Sequence, residues 1–343
     1  MRILFLTDNF PPESNAPATR TFEHTNEWVK AGAEVTVITG APNFPQGRVF
    51  EGYRNKLYQT EYINGIKVIR VWTFIAANKG FLKRVIDFVS FMVTSFIAGL
   101  FVKTDLIIAT SPQFFTAISG SWLGFWKRKK WVMEVRDIWP ESIKAVGAMK
   151  TNPIISIFEF LEHRMYKSAD KIVTVTDSFK EQIVNEHKIP PDKIGVVKNG
   201  MNTDMFAPTA KNEYLLKELQ LENKFVIGYI GTHGMAHKLD FILTCAKKIT
   251  DNEKIHFLFV GTGAEKEHLL ELKKELKLEN VTMLPSVEKH QVKDYVSILD
   301  VGLVNLKKSD TFKSVLPSKI FELSAMHKPL LLGVEGEAKK LVE

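Results

Sequence analysis

Short apolar runs alternating with amphipathic stretches constrain this chain more than any other feature. RILFLT, EVTVIT, KVIRVW, DLIIAT, KWVMEV, KIVTVT and KIGVVK follow one another in the first half. Between them, helical spacing is read over Ala18 to Lys30, within 81 to 102, Phe114 to Phe125, Ile154 to Lys167 and Ser178 to Glu186. Runs that are nearly all apolar suit strands covered on both faces, and strands separated by helices suit a parallel sheet.

Around residues 199 to 224 the text turns polar, NGMNTDMFAPTAKNEYLLKELQLENK, broken by Pro208. A fresh series then begins with FVIGYIG, IHFLFVG, VTMLP, DVGLVNL and PLLLGV, with helices starting at 238, 264, 289 and 317. The pattern predicts an α/β chain of two Rossmann-like, doubly wound parallel-sheet domains, 1–200 and 201–343, joined by a linker. The closing GEAKKLVE reads as the first turns of a helix with no final strand after it, so the second domain is expected to be incomplete at its C-terminus.

A composition of 45% hydrophobic and 25% charged residues excludes a disordered chain. The net charge of +7 is unevenly placed. Residues 1–180 hold 23 basic and 16 acidic side chains against 23 and 23 in 181–343, and no arginine follows Arg164. A single cysteine, Cys245, excludes a disulfide framework or a cysteine-based zinc cluster and fits a reducing cytosol. The first apolar run, Ile3 to Leu6, is too short for a signal peptide. Phe88 to Val102 is uncharged but falls short of the ~18 to 20 residues that cross a bilayer. Two readings stay open for it: a buried helix packed on a sheet, or a helix in the membrane interface, flanked by Lys83, Arg84, Lys103 and the cluster Lys127 to Lys130.

Ligands of open parallel sheets bind beyond the C-terminal strand ends, so the loops there are the candidates. Gly231-Thr232-His233-Gly234 follows FVIGYI, and Gly261-Thr262-Gly263 follows IHFLFV. Either loop can turn backbone N–H groups toward a diphosphate, or can simply be a tight turn. In Pro317-Ser318-Lys319-Ile320-Phe321-Glu322, Ser318 is a candidate N-cap, and Lys319 and Glu322 share a helical face. The lysine there suits a phosphate ligand, but taken without the other loops the pair reads as a surface ion pair. In the first half, Asp8 to Arg20 follows the first strand, its prolines and small residues making a defined loop and Arg20 falling one turn into the helix, and Arg136-Asp137-Ile138-Trp139 follows KWVMEV. A charged pair beside tryptophan suits a sugar, with the alternative of a local structural salt bridge. Asp-x-Asp, the P-loop, HExxH and GxSxG are all missing. The histidines show no metal-ligand spacing, and His24, His163 and His187 read as structural residues on helices.

FLTDNFPPES, RDIWPES (Arg136 to Ser142), NGMNTDMF (Asn199 to Phe206), GYIGTHGMAH, FVGTGAEKEHL, NVTMLPSVEKHQV and PSKIFELSA occur in order along the chain. Together they resemble the successive signatures of the retaining glycosyltransferase 4 family with the GT-B fold. The similarity is to bacterial O-antigen and capsule members in particular, such as N-acetyl-fucosamine transferases. The resemblance implies two domains facing across a cleft and a nucleoside diphosphate sugar donor, with no metal or other cofactor. Gly231, Thr232, His233, Gly234, His237, Lys238, Gly261, Gly263, Pro317, Ser318 and Lys319 would then face the donor, Glu322 the ribose, and the backbone of Leu284, Pro285 and Ser286 the base. Asn15, Ala16, Arg20 and Arg136 would serve the acceptor side, and Asp137 would lie near the transferred sugar. Asp137, Lys319 and Glu322 are the catalytic candidates.

This chain departs from the family pattern in three places. Ser314 stands where many relatives carry the first of two glutamates, the Gly231 loop has histidines and Lys238 in place of arginine, and Asn15 and Ala16 replace glycines. The implied activity is retaining, metal-independent transfer of a hexose or N-acetylhexosamine from a UDP-sugar to a glycan, on a polyprenyl diphosphate carrier, at the cytoplasmic face of the inner membrane. A nucleotide-sugar 2-epimerase is the alternative chemistry, weakened by Ser314, and a two-lobed sugar- or nucleotide-binding protein the alternative class. Nucleic acid is not an expected partner, since no recognition motif accompanies the basic half, whose charge suits anionic lipid or a polyprenyl diphosphate.

Overall fold

The computed structural model describes all residues except 45, 76–80, 112–113 and 139–152, and these form two compact units, Met1 to Val197 and Lys198 to Glu343. In the first unit, eight strands form one sheet: β1 (Arg2–Leu6), β2 (Glu34–Thr39), β3 (Tyr58–Ile63), β4 (Ile66–Val71), β5 (Leu106–Thr110), β6 (Lys130–Val135), β7 (Lys171–Thr174) and β8 (Ile194–Val196). Helices α1 (Ala16–Lys30), α2 (Phe81–Leu100), α3 (Phe114–Lys127), α4 (Pro153–Ser168) and α5 (Asp177–His187) accompany them.

The strand order is β3-β4-β2-β1-β5-β6-β7-β8, parallel except for β3. Ile3 sits opposite both Val35 and Leu106, so the order reverses between β1 and β5 and leaves a crevice at their C-terminal ends. The strand β3 was not expected. Its residues alternate between exposed and half-buried on the sheet edge, so it lacks the apolar run of a central strand, and it pairs with β4 across the turn at Asn64 and Gly65, both at positive φ.

Helix α2 packs one face into the unit, as the reading of a buried helix expected. Phe91, Ser95 and Ala98 are buried, while Ile86, Val93, Ile97 and Leu100 form an exposed apolar stripe. Among the described residues, no helix is long and apolar enough to cross a membrane.

The second unit has a five-stranded, all-parallel sheet of β9 (Phe225–Ile230), β10 (Ile255–Val260), β11 (Val281–Leu284), β12 (Val301–Asn305) and β13 (Leu330–Gly333), in the order β11-β10-β9-β12-β13. Helices α6 (Glu213–Glu218), α7 (Leu239–Lys248), α8 (Lys266–Glu275), α9 (Lys289–Ser297), α10 (Asp310–Lys313), α11 (Lys319–Ala325) and α12 (Glu337–Val342) surround it. Here the order reverses between β9 and β12. The polar stretch expected to be a linker belongs to this unit. Asn212 caps α6, and Leu215, Leu216 and Leu221 join Phe206 in a core with Val226, Leu258 and Leu299. Four apolar side chains among polar neighbours are enough to dock the segment.

Candidate functional site

Most candidate residues of each unit lie at its own reversal point, while Leu284, Pro285 and Ser286 end and follow the edge strand β11. In the first, Arg70 is buried and donates to the carbonyls of Gly40 and Pro11, while the buried Glu13 carboxylate accepts the N–H groups of Asn43 and Phe44 at 2.7 and 2.8 Å. These bonds tie down the loop after β1, in which the Pro11–Pro12 peptide is cis. Asn15 then begins α1. Its Oδ1 accepts the Ala18 N–H at 2.8 Å and its amide donates to Asn9 Oδ1, so the side chain is an N-cap. Ala16 is exposed on the first turn.

One turn further, Arg20 donates to Thr110 Oγ1 at 3.0 Å and lies 3.9 Å from Glu134. Arg136 is 3.3 Å from the same carboxylate, and His24 is 3.8 Å from it. Glu134 is therefore the hub of this cluster, and Arg136 pairs with it. Burial alone would raise the Glu134 carboxyl, but Arg20, Arg136, Thr110 and His24 outweigh that and hold it below its ordinary value. Arg136 is pushed down to about 10 by burial and by Arg20. Asp137 is pushed up to about 6 by burial, against the pull of Arg136 and Arg20. Trp139, expected beside it, lies outside the described residues.

Sequence reasoning missed Glu134, Thr110 and the part played by His24. The charged residue inside KWVMEV was a visible signal, since a carboxylate in a central strand needs partners. His24, read as structural, follows Arg20 by one helical turn and so reaches the same carboxylate.

In the second unit the two glycine loops form one structure. The Gly231 N–H bonds the Val260 carbonyl, the His233 N–H bonds the Thr262 carbonyl at 2.9 Å, and the Glu265 N–H bonds the His233 carbonyl at 2.9 Å. Gly261, at φ +150°, has no room for a Cβ, which would collide with the Gly231 carbonyl oxygen, and a Cβ on Gly263 would meet the His233 backbone. Gly234 precedes the short turn Met235–His237, and the Asn305 amide and the Lys307 N–H fix that turn through the His237 and Ala236 carbonyls.

Lys319 opens α11 and reaches back to this loop. Its Nζ lies 4.7 Å from the centre of the Tyr229 ring, where any side chain on Gly231 would strike it. The expected surface ion pair with Glu322 is replaced, among the described residues, by this cation–ring contact, because both groups face inward. Burial lowers the Lys319 ammonium and Glu322 opposes that shift, while burial raises Glu322 against the pull of Lys319 and Lys289.

Ser318 sits at the start of α11 with its carbonyl accepting from Phe321 and Glu322, and makes no side-chain capping bond because its backbone angles are helical rather than extended. Pro317 accepts the Ile320 N–H, and Lys238 is paired with Asp240. The Leu284 carbonyl accepts from Gly261 N–H and from Lys266 Nζ, leaving Pro285 and Ser286 exposed beyond β11. Lys266 is thus a further cation that sequence reasoning did not select. Its signal was a lysine five residues past Gly261, in the first turn of the following helix.

A family model described as Glycosyltransferase Family 4 matches residues 18–205, and one described as Glycosyl transferases group 1 matches residues 211–343. A protein of Escherichia coli strain K12 named as a colanic acid biosynthesis glycosyl transferase, WcaI, is 26% identical over 336 residues, covering 95% of this chain and 81% of its own length. Two further relatives are matched over 49% and 53% of their lengths. Among solved structures, the sucrose-phosphate synthase of Thermosynechococcus elongatus superposes with a TM-score of 0.74 at 13% identity, covering 100% of this chain and 83% of that one. Anabaena HepE, crystallised with UDP-glucose, superposes with a TM-score of 0.70 at 16% identity over the same shares. Two parallel-sheet units with their polar residues at the reversal points, matched by these models over nearly their whole length, place the chain in the GT-B fold, and it belongs to glycosyltransferase family 4.

Proposed function

We propose that the chain is a retaining, metal-independent glycosyltransferase that moves a hexose or N-acetylhexosamine from a UDP-sugar to a glycan on a polyprenyl diphosphate carrier in bacterial surface polysaccharide synthesis. The observation that carries this reading is Lys319 aimed over Tyr229 at a loop stripped of side chains by Gly231 and Gly261. A diphosphate is the ligand such a place suits, because bare backbone and one ammonium can meet the charge that develops as the sugar–oxygen bond breaks. In front-face transfer the acceptor hydroxyl forms its bond to the anomeric carbon as the diphosphate leaves, and its proton passes to the leaving phosphate oxygen. No protein base is required by that route. Glu322 is assigned to the ribose, and Arg20, Arg136 and Asp137 to the acceptor and the transferred sugar. The colanic acid role in the name of WcaI supports the product class, and the UDP-glucose complex of HepE supports the donor class.

The inner membrane surface is assigned to the first unit. Helices α2 and α3 run side by side in the same direction, with Ser95 on Ser119, Phe96 on Trp122 and Lys127 Nζ on the Leu100 carbonyl. Their C-terminal ends therefore present Phe101, Phe125 and Trp126 together, 84%, 79% and 69% exposed, beside Lys103, Arg128, Lys129 and Lys130. Aromatic rings ringed by cations suit an anionic lipid surface. Co-sedimentation with phosphatidylglycerol vesicles, lost in F125E/W126E and absent with phosphatidylcholine, is expected. Equal recovery of both proteins with both vesicles would overturn the assignment.

Transfer is tested with UDP-, GDP- and dTDP-sugars and a bacterial lipid extract. Lys319→Met is expected to lower the transfer rate by roughly 10² to 10³ while the protein stays folded. The absence of binding and hydrolysis for every donor would overturn the reading.

A further inference from the structure

His233 is buried completely, yet neither ring nitrogen has a hydrogen-bond partner among the described residues. Its main chain is fully used, since its N–H and carbonyl latch the first glycine loop to the second. Its ring lies 6.0 Å from Tyr229 and 6.4 Å from Phe259, centre to centre, and packs where a Cβ on Gly261 would come within 3.3 Å of its Cδ2. A buried imidazole normally satisfies at least one nitrogen, and leaving both without a partner is unfavourable. Phenylalanine would fill the same space without that cost.

The charged surroundings are one-sided. Lys266 from α8, Lys319 from α11 and His237 from the adjoining turn all oppose a proton on this ring. Tyr229 from β9 supplies a ring face and spends its hydroxyl on the Thr232 carbonyl. Glu322 is the nearest acidic group on α11, but it acts on Lys319 and Tyr229 and is not among the groups that act on His233.

We propose that His233 is a hidden ligand of the donor diphosphate, taking up a proton when a nucleoside diphosphate sugar binds and donating its N–H to a phosphate oxygen. The inference rests on the donor assignment above. In the free protein, burial and then the two lysines hold the imidazole down at about 4, so it is neutral at pH 7. Two negative charges laid on the glycine loops reverse the sign of the local field and supply the missing acceptor. The bound value then returns toward the ordinary ~6.5.

A group whose value is raised on binding favours the complex as the pH falls. Affinity is therefore expected to strengthen by roughly fourfold from pH 8 to pH 6, with about three-quarters of a proton taken up at pH 6.

Calorimetric titration with UDP-glucose, whose esterified diphosphate does not titrate in this range, counts that proton when repeated in buffers of different ionisation heat. UDP-galactose and UDP-N-acetylglucosamine serve as parallel donors. The heat is expected to depend on the buffer at pH 6, to lose that dependence in H233N, and to keep it in H237N. Buffer-independent heat in the wild type, or uptake that persists in H233N, overturns the inference while leaving the donor site standing. Uptake that grows toward pH 9 instead assigns the proton to Lys319 and also overturns it. Failure of all three donors and of UDP and GDP to bind overturns the donor assignment, and this inference falls with it.

Discussion

The two reversal points gather charge by opposite rules. In the first unit, Arg20 and Arg136 meet around a carboxylate, Glu134, with His24 and Asp137 close by, so cations and anions are interleaved in one buried network. In the second, Lys319, Lys266, His233 and His237 converge on a loop of glycines with Glu322 as the offsetting acid. The first arrangement sets a carboxylate of the chain between its cations, although Glu134 Oε2 and Arg20 Nε are buried without a hydrogen bond among the described residues. The second leaves positive charge and bare backbone without full compensation, a condition that an anionic ligand relieves. What separates the two sites is whether the chain sets a buried acid directly between the cations, as Glu134 does in the first.

Removing the partner at the first site tests that distinction most severely. Glu134→Ala is expected to destabilise the first unit by about 3 to 5 kcal/mol, because Arg20 and Arg136 would then be buried without the carboxylate that sits between them. Denaturant titration measures this, and Glu134→Gln is expected to recover part of the loss through its hydrogen bond to Thr110. A loss below about 1 kcal/mol would mean that the first cluster tolerates its cations without a carboxylate between them.

Asp137 sharpens the comparison through pH. Its carboxyl titrates at about 6 in the folded chain against an ordinary 3.8. The folded state therefore holds its proton more tightly, and the contribution of Asp137 to stability is greatest below pH 4, falls as the pH rises through the window from 4 to 6, and stays lower above it. The cost at pH 7 is about 2 to 3 kcal/mol on the scale of 1.36 kcal/mol per unit. Asp137→Asn is expected to raise the melting temperature at pH 7.5 and to match the wild type near pH 4. An unchanged difference across that range would show that Asp137 is fully paired in the folded chain.

The order of strands and helices was legible because central strands announce themselves as apolar runs, and the glycine loops because they follow such runs directly. Glu134 was harder to read, since its partners Arg20 and His24 lie more than a hundred residues away in sequence. Only the reversal between β1 and β5 brings them together. The edge strand β3 was missed because its outer side is solvated and carries no apolar run, and α6 because Leu215 and Leu216 sit inside an otherwise polar stretch. The His233 position was read correctly as part of a loop, but its burial depends on Phe259 and Gly261 arriving from the neighbouring strand.

The smallest expected effect concerns Asn15, where capping and ligand contact predict different outcomes. Its Oδ1 holds the Ala18 N–H and its amide holds Asn9, so the side chain is committed within the chain. Asn15→Ala is expected to cost about 1 kcal/mol in stability, the ordinary value of a lost N-cap, and Asn15→Ser or Asn15→Asp to restore most of it. Acceptor KM is then expected to follow the stability series, with serine close to wild type. A serine variant that is fully stable yet several-fold weaker in acceptor KM would break the comparison. It would show that a side chain satisfied by the chain still has a second, ligand-facing role, and that internal compensation alone does not mark the first reversal point as structural.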